Sequence, residues 1–123
     1  MAQDPHVTLT GYVGDVRPFI AGAEVYVVPL RIGGGTRLKV LEAMAMGKAI
    51  VSTTLGCEGL GLRDGQEARL ADTPTAFAEC VVALLRDANQ RRDLGQRARQ
   101  FAASRYDWRL IALAMERLYE PPA

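Results

Sequence analysis

The stretch with the most chemical content is Pro29-Leu30-Arg31-Ile32-Gly33-Gly34-Gly35-Thr36-Arg37-Leu38-Lys39-Val40-Leu41-Glu42. Consecutive glycines at 33–35 let the backbone approach an anion closely and expose N–H groups to it. The residues after them recur at helical spacing, so the loop opens onto a helix N-terminus, whose partial positive charge favours an anion. Arg37 and Lys39 add formal charge, and a guanidinium can grip a phosphate through two N–H bonds. Cations in a first helical turn oppose the macrodipole by roughly 0.3–1 kcal/mol, a mismatch that anion binding would explain. Gly33, Gly34, Gly35, Thr36, Arg37 and Lys39 together suit a diphosphate. Glu42 follows about one and a half turns into the helix. Its carboxylate leans back toward the N-terminus and can accept two hydrogen bonds from a vicinal diol such as a ribose. The segment is neither a Walker A loop nor the dinucleotide glycine fingerprint. A plain structural turn followed by a solvated first turn is the competing reading of the same residues.

The elements that must position this segment alternate between strand and helix. Val7–Thr10 reads as a short strand, broken by Gly11 and Gly14. Val16–Ala21 reads as a helix with Asp15 as N-cap and Pro18 in its first turn. Glu24–Leu30, with its run of Val25, Tyr26, Val27 and Val28, suits a buried parallel strand. Leu38, Leu41, Met44 and Ala45 mark the next helix, and Gly47 falls where a C′ glycine belongs. Ala49–Ser52 is a further apolar strand, Leu55–Gln66 a glycine-rich loop and Ala68–Leu70 a weak last strand. Thr73 with Pro74 opens a helix lined by Phe77, Val81, Leu84 and Leu85. A polar helix from about Asn89 to Ser104 and a terminal helix from Asp107, within 105–120, complete the order. The expectation is an α/β fold: a partial Rossmann-like parallel sheet of about four strands flanked by helices. That is thin for a complete doubly wound sheet, so 1–123 reads as a single incomplete nucleotide-binding domain.

Composition removes several classes. The 123 residues are 49% hydrophobic and 24% charged, which excludes collagen-like and disordered chains. Fifteen basic residues against fourteen acidic ones leave +1, so no overall field attracts nucleic acid. The Arg-rich stretch Arg86–Arg109 also carries three aspartates and reads as a solvated helix face. Cys57 and Cys80 are too few and wrongly spaced for a disulfide framework or a metal site. Cys80 reads as a small core residue, and nothing near Cys57 in sequence activates it. Glu58 reads as a solvated loop acid. The first residues have no signal-peptide pattern, and the default expectation is a reduced cytoplasmic setting.

Several segments, in order, resemble the C-terminal, donor-binding half of GT-B-fold retaining glycosyltransferases (glycosyl transferases group 1). Leu41-Glu42-Ala43-Met44-Ala45-Met46-Gly47-Lys48-Ala49-Ile50-Val51-Ser52-Thr53 is similar to their leucine-glutamate-alanine-methionine signature and the strand after it. Tyr12-Val13-Gly14 resembles their turn near the nucleobase, which would put Val13 in the donor site. Gly56-Cys57-Glu58-Gly59-Leu60, Gly65 and Arg105-Tyr106-Asp107-Trp108 also fit. The likeness runs from about Val7 to Tyr119, and its closest flavour is the triple-glycine subgroup often found with exopolysaccharide synthesis. The family commonly carries two glutamates seven residues apart. Glu42 matches the second, while Gly34 stands at the first.

The resemblance implies transfer of a sugar from a UDP- or GDP-sugar to an acceptor hydroxyl with retention, in polysaccharide or glycan biosynthesis. It implies no further cofactor and no metal, with leaving-group charge met by the cations and N–H dipoles of Gly33–Lys39. It implies an acceptor-binding N-terminal domain elsewhere, so that no catalytic residue is assigned within these residues and the chain alone is expected to be inactive. The longer protein is expected in the cytoplasm, at the inner membrane surface, without a nucleic-acid partner. This chain is expected to dimerise through an exposed sheet edge. Two other readings stay open: a non-catalytic nucleotide-binding or regulatory module, favoured by Gly34, and a structural or interaction fragment with no nucleotide affinity.

Overall fold

A computed structural model describes residues 5–11, 14–32 and 37–105. The elements are α1 (Arg17–Ala21), β1 (Tyr26–Val28), α2 (Arg37–Ala45), β2 (Ile50–Ser52), a 3-10 turn (Leu55–Cys57), β3 (Arg69–Leu70), α3 (Pro74–Leu85) and α4 (Ala88–Arg105). The strands pair in the order β1-β2-β3, all parallel, with Val27 opposite Val51 and Ser52 opposite Leu70. β2 is central and wholly buried. Successive side chains of a strand point to opposite faces. Accordingly, Ile50 joins a cluster with Ile20, Val40, Leu41, Met44 and Ala98. Val51 joins another with Ala49, Cys80, Leu84 and Leu94. Helices therefore cover both faces, as a parallel sheet requires.

Local signals explain the ends of the helices. Gly47 follows α2 with φ +70°, a conformation that glycine adopts without a Cβ penalty. Thr73 caps α3 by accepting from the Ala76 amide at 3.2 Å, and Pro74 takes the first helical position. At the end of α1, the Lys48 ammonium donates to the carbonyls of Ala21 (2.8 Å) and Ala23 (3.1 Å), satisfying acceptors that the helix leaves open.

Four expectations need correction. Val7–Thr10 is not a strand, so the described sheet has three strands rather than four. A strand exists through its ladder hydrogen bonds, and this segment borders none of the three strands, with Leu9 70% exposed. At α1 the N-cap position is Val16, which makes no side-chain cap bond. Asp15 acts from one residue earlier, accepting from the Arg17 amide at 3.0 Å. On α3 the buried positions are Cys80 and Leu84, while Leu85 is 51% exposed. Cys80 packs inward because it is one turn before Leu84; Leu85 is rotated off that stripe. The loop 55–66 contains the 3-10 turn, which the glycines alone did not suggest. The expected helix from Asp107 lies outside the described residues.

Candidate functional site

The carboxyl ends of the three parallel strands lie on one edge of the sheet, the edge where open α/β sheets bind ligands. The loops leaving these ends are laced together. The Thr53 hydroxyl, after β2, donates to the Leu30 carbonyl after β1. It also accepts from the Gly56 amide at 3.1 Å. Asp72, after β3, accepts from the Thr54 amide at 2.8 Å and the Thr54 hydroxyl at 2.7 Å. These bonds hold the Asp72 carboxyl below the usual carboxylate range. A Cβ at Gly56 would lie 2.8 Å from Val28 Cγ1, so glycine is needed where the turn presses on β1.

α2 covers one face of the sheet and follows the loop that leaves β1. Gly33, Gly34, Gly35 and Thr36, and likewise Val13, lie outside the described residues. Arg37 is the first residue of α2, and the placement of its side chain is likewise not described. Lys39 is exposed and lines a cleft with Tyr26, Val27, Val28, Pro29 and Leu30. Glu42 is 9% exposed, a carboxylate sunk among the apolar residues of its helix. Burial pushes its carboxyl up; the Arg17 charge pulls it back, and Asp15 pushes it up again. Tyr26 is raised by burial first and by Glu42 second. Lys39 of α2 thus shares a cleft with Tyr26 of β1, while Glu42 is buried on the same helix.

Arg17 and Tyr26, which the sequence analysis did not single out, are groups whose electrostatics are linked to Glu42. Asp15 and Arg17 were legible only as helix-start residues, and Tyr26 only as a strand aromatic. Glu67 is a second buried acid that the sequence reading did not single out, at 3% exposure. It accepts from the Arg63 amide at 2.9 Å and the Arg63 guanidinium at 2.8 Å. These bonds hold its carboxyl below the usual range against the opposing effect of burial. The four-residue spacing of Arg63 and Glu67 was the available signal. Its role is to brace the approach to β3. Cys57 is buried and its thiol is pushed up by desolvation, which makes it a poor nucleophile. Glu58 is exposed. Among the described residues, no group of three His, Cys, Asp or Glu side chains is placed to hold a metal ion. No helix among them is long and apolar enough to cross a membrane.

A parallel sheet with helices on both faces defines a Rossmann-like α/β fold. The chain belongs to the glycosyl transferases group 1 family, which residues 1–87 match. It is 35% identical, over 96% of its length, to 32% of a phosphatidyl-myo-inositol mannosyltransferase from Mycobacterium leprae. It is 36% identical, over 67% of its length, to 20% of a D-inositol 3-phosphate glycosyltransferase from Corynebacterium urealyticum. The chain spans about a third or less of the length of these curated relatives. In structure it is similar to the C-terminal domain of a glycosyl transferase group 1 family protein from Francisella tularensis. That match has a TM-score of 0.70 at 20% identity and covers 79% of this chain and 52% of the other. Sucrose-phosphate synthase from Thermosynechococcus elongatus matches with a TM-score of 0.64 at 27% identity, over 85% of this chain and 26% of that one.

Proposed function

We propose that these residues form the nucleotide-sugar half-site of a retaining glycosyltransferase acting in polysaccharide or glycolipid biosynthesis. The observation that carries this reading is Glu42: a buried carboxylate on α2, beside the loop leaving β1, with Lys39 one turn nearer the helix start. A buried acid is costly unless it has a use. A pair of acceptor oxygens suits the two hydroxyls of a ribose. Gly33–Thr36, Arg37 and Lys39 would receive the diphosphate, and Val13 would lie near the base. As the sugar departs, negative charge grows on the diphosphate, and fixed N–H groups and cations near it lower that barrier. The donor is a UDP- or GDP-sugar. The acceptor site and any general base belong to another domain, so these residues alone transfer no sugar. The longer protein works on the cytoplasmic side, at the inner membrane surface.

Calorimetric titration of the chain with UDP and with GDP, without added metal, tests the reading. Binding of one nucleotide, weakened by Glu42→Gln and by Arg37→Ala, is the expected result. Binding that neither substitution changes would sink it.

A further inference from the structure

The carboxyl edge of the sheet carries a second cleft, walled by the start of α3. Its volume is about 270 Å³, and Pro29, Arg31, Asp72, Thr73, Pro74 and Phe77 line it. The Lys39 cleft is bordered by α2 instead, and Pro29 lines both, so the two meet where β1 ends. Pockets for drug-sized ligands run from about 300 to 1,000 Å³, so this one suits a smaller molecule, on the order of a single ring. Its polar groups keep unused capacity. The Asp72 carboxylate takes the Thr54 amide at 2.8 Å on one oxygen and the Thr54 hydroxyl at 2.7 Å on the other. A carboxylate has about four lone-pair sites, so each oxygen has room for another donor. The Thr73 hydroxyl accepts from the Ala76 amide at 3.2 Å and keeps its own hydrogen to donate. Arg31 is exposed and, among the described residues, pairs with no acid. Half-buried Phe77 and the two prolines supply the apolar wall.

This mixture selects a chemical class. A phosphate or carboxylate meets Arg31 but also Asp72, whose bonds to Thr54 keep it charged near neutrality. A purely apolar ring strips water from the polar groups and gives them no partner. A sugar ring satisfies both halves. Its hydroxyls donate to a carboxylate and accept from a guanidinium and a hydroxyl, and its C–H face suits the partly negative face of an aromatic ring. We propose that this cleft is a carbohydrate subsite, in which Asp72, Arg31 and Thr73 hold the hydroxyls of one pyranose ring against Phe77. The inference rests on the sugar-transfer reading for the source of that ring: the sugar of the donor, reaching past Pro29 from the Lys39 cleft, or a sugar of the acceptor.

The test is amide NMR of the full 123-residue chain, titrated with methyl α-mannoside, methyl α-glucoside, methyl α-galactoside and, separately, inorganic phosphate. At least one glycoside should shift the Thr54, Thr73 and Phe77 amides saturably. Arg31→Ala removes a charged donor and should weaken that binding about tenfold. Ala78 is exposed on α3 and lines the same cleft, so Ala78→Trp should block it and abolish the shifts while the amides of β2 stay in place. No response to any glycoside, shifts undiminished in both variants, or a response to phosphate alone overturns the proposal. Nucleotides then identify the source. A nucleotide-sugar that displaces the glycoside where UDP and GDP do not marks the ring as the donor's. A glycoside retained beside bound nucleotide-sugar marks it as the acceptor's. The donor reading stands or falls separately. Nucleotide binding that Glu42→Gln weakens, with no glycoside response, removes the cleft alone; glycoside binding with no nucleotide binding removes the donor half-site alone.

Discussion

Gly95 of α4 lies directly against the main-chain carbonyl of Gly47, where α2 ends. A Cβ at position 95 would fall on that carbonyl oxygen and 2.8 Å from the Gly47 carbonyl carbon. Both partners are backbone, so neither can swing aside like a side chain. Gly95→Ala should therefore destabilise the fold by ~1–3 kcal/mol, the usual scale for overpacking a core. Thermal unfolding followed by circular dichroism measures it, and a melting temperature equal to the parent's would refute the close crossing.

Glu42→Gln should separate binding from stability. Loss of a charge-assisted acceptor should weaken donor binding in the longer protein by ~1–3 kcal/mol. The isolated fold should respond the other way. Burial raises the Glu42 carboxyl above its unfolded value, so the folded state holds the proton more tightly. Stability is then lost as pH rises through that window, and at neutral pH the ionised acid is a burden. The neutral amide removes it. We expect a higher melting temperature together with weaker nucleotide binding, a trade-off common at functional sites.

Glu67 should behave oppositely. Its hydrogen bonds to Arg63 lower its carboxyl below the unfolded value, so the folded state favours the charged form. Its contribution is present above the unfolded value near 4.5 and is lost as pH falls through the lower folded value. Denaturation at a series of pH values should show an acid-side loss that Glu67→Gln flattens, at the cost of lower stability near neutrality. An acid-side profile identical to the parent's would remove Glu67 as the source.

Self-association should follow from β1. The Tyr26 amide donates to Ala49, and the Val28 carbonyl accepts from Thr53, so both residues turn toward β2. Alternation along a parallel strand then turns the N–H and C=O of Val27 outward, and the residue is 45% exposed. Among the described residues no strand covers this edge, and such an edge is a template for pairing with another chain. Light scattering should give a mass above 13.4 kDa at high concentration, and Val27→Lys should restore the monomer. A monomeric parent chain under the same conditions rules the edge out.

Much of the fold was legible because its signals are local. Thr73-Pro74 starts a helix and Gly47 ends one through backbone chemistry that needs no distant partner. The apolar runs at Tyr26–Val28 and Ile50–Ser52 could satisfy their backbones only inside a sheet. Val7–Thr10 carried a comparable apolar pattern but pairs with none of the described strands, and pairing cannot be read from one segment. At the site, Glu42 and Lys39 were visible from helical spacing on one continuous motif. Tyr26 lines the same cleft as Lys39 from an element 13 residues upstream, an arrangement that periodicity does not encode. Gly33–Thr36 and Val13 were legible as motif members, and they remain part of the proposal on that ground.

The laced loops at the carboxyl ends of the strands have one more consequence. Leu30, Thr53, Thr54 and Asp72 join the three strand ends crosswise before any ligand arrives. The floor of the site is thus already assembled, and the entropy of ordering it has been met by folding itself. On the proposed reading, a nucleotide bound there meets strand ends that are already joined, so that part of the ordering cost falls on folding rather than on binding.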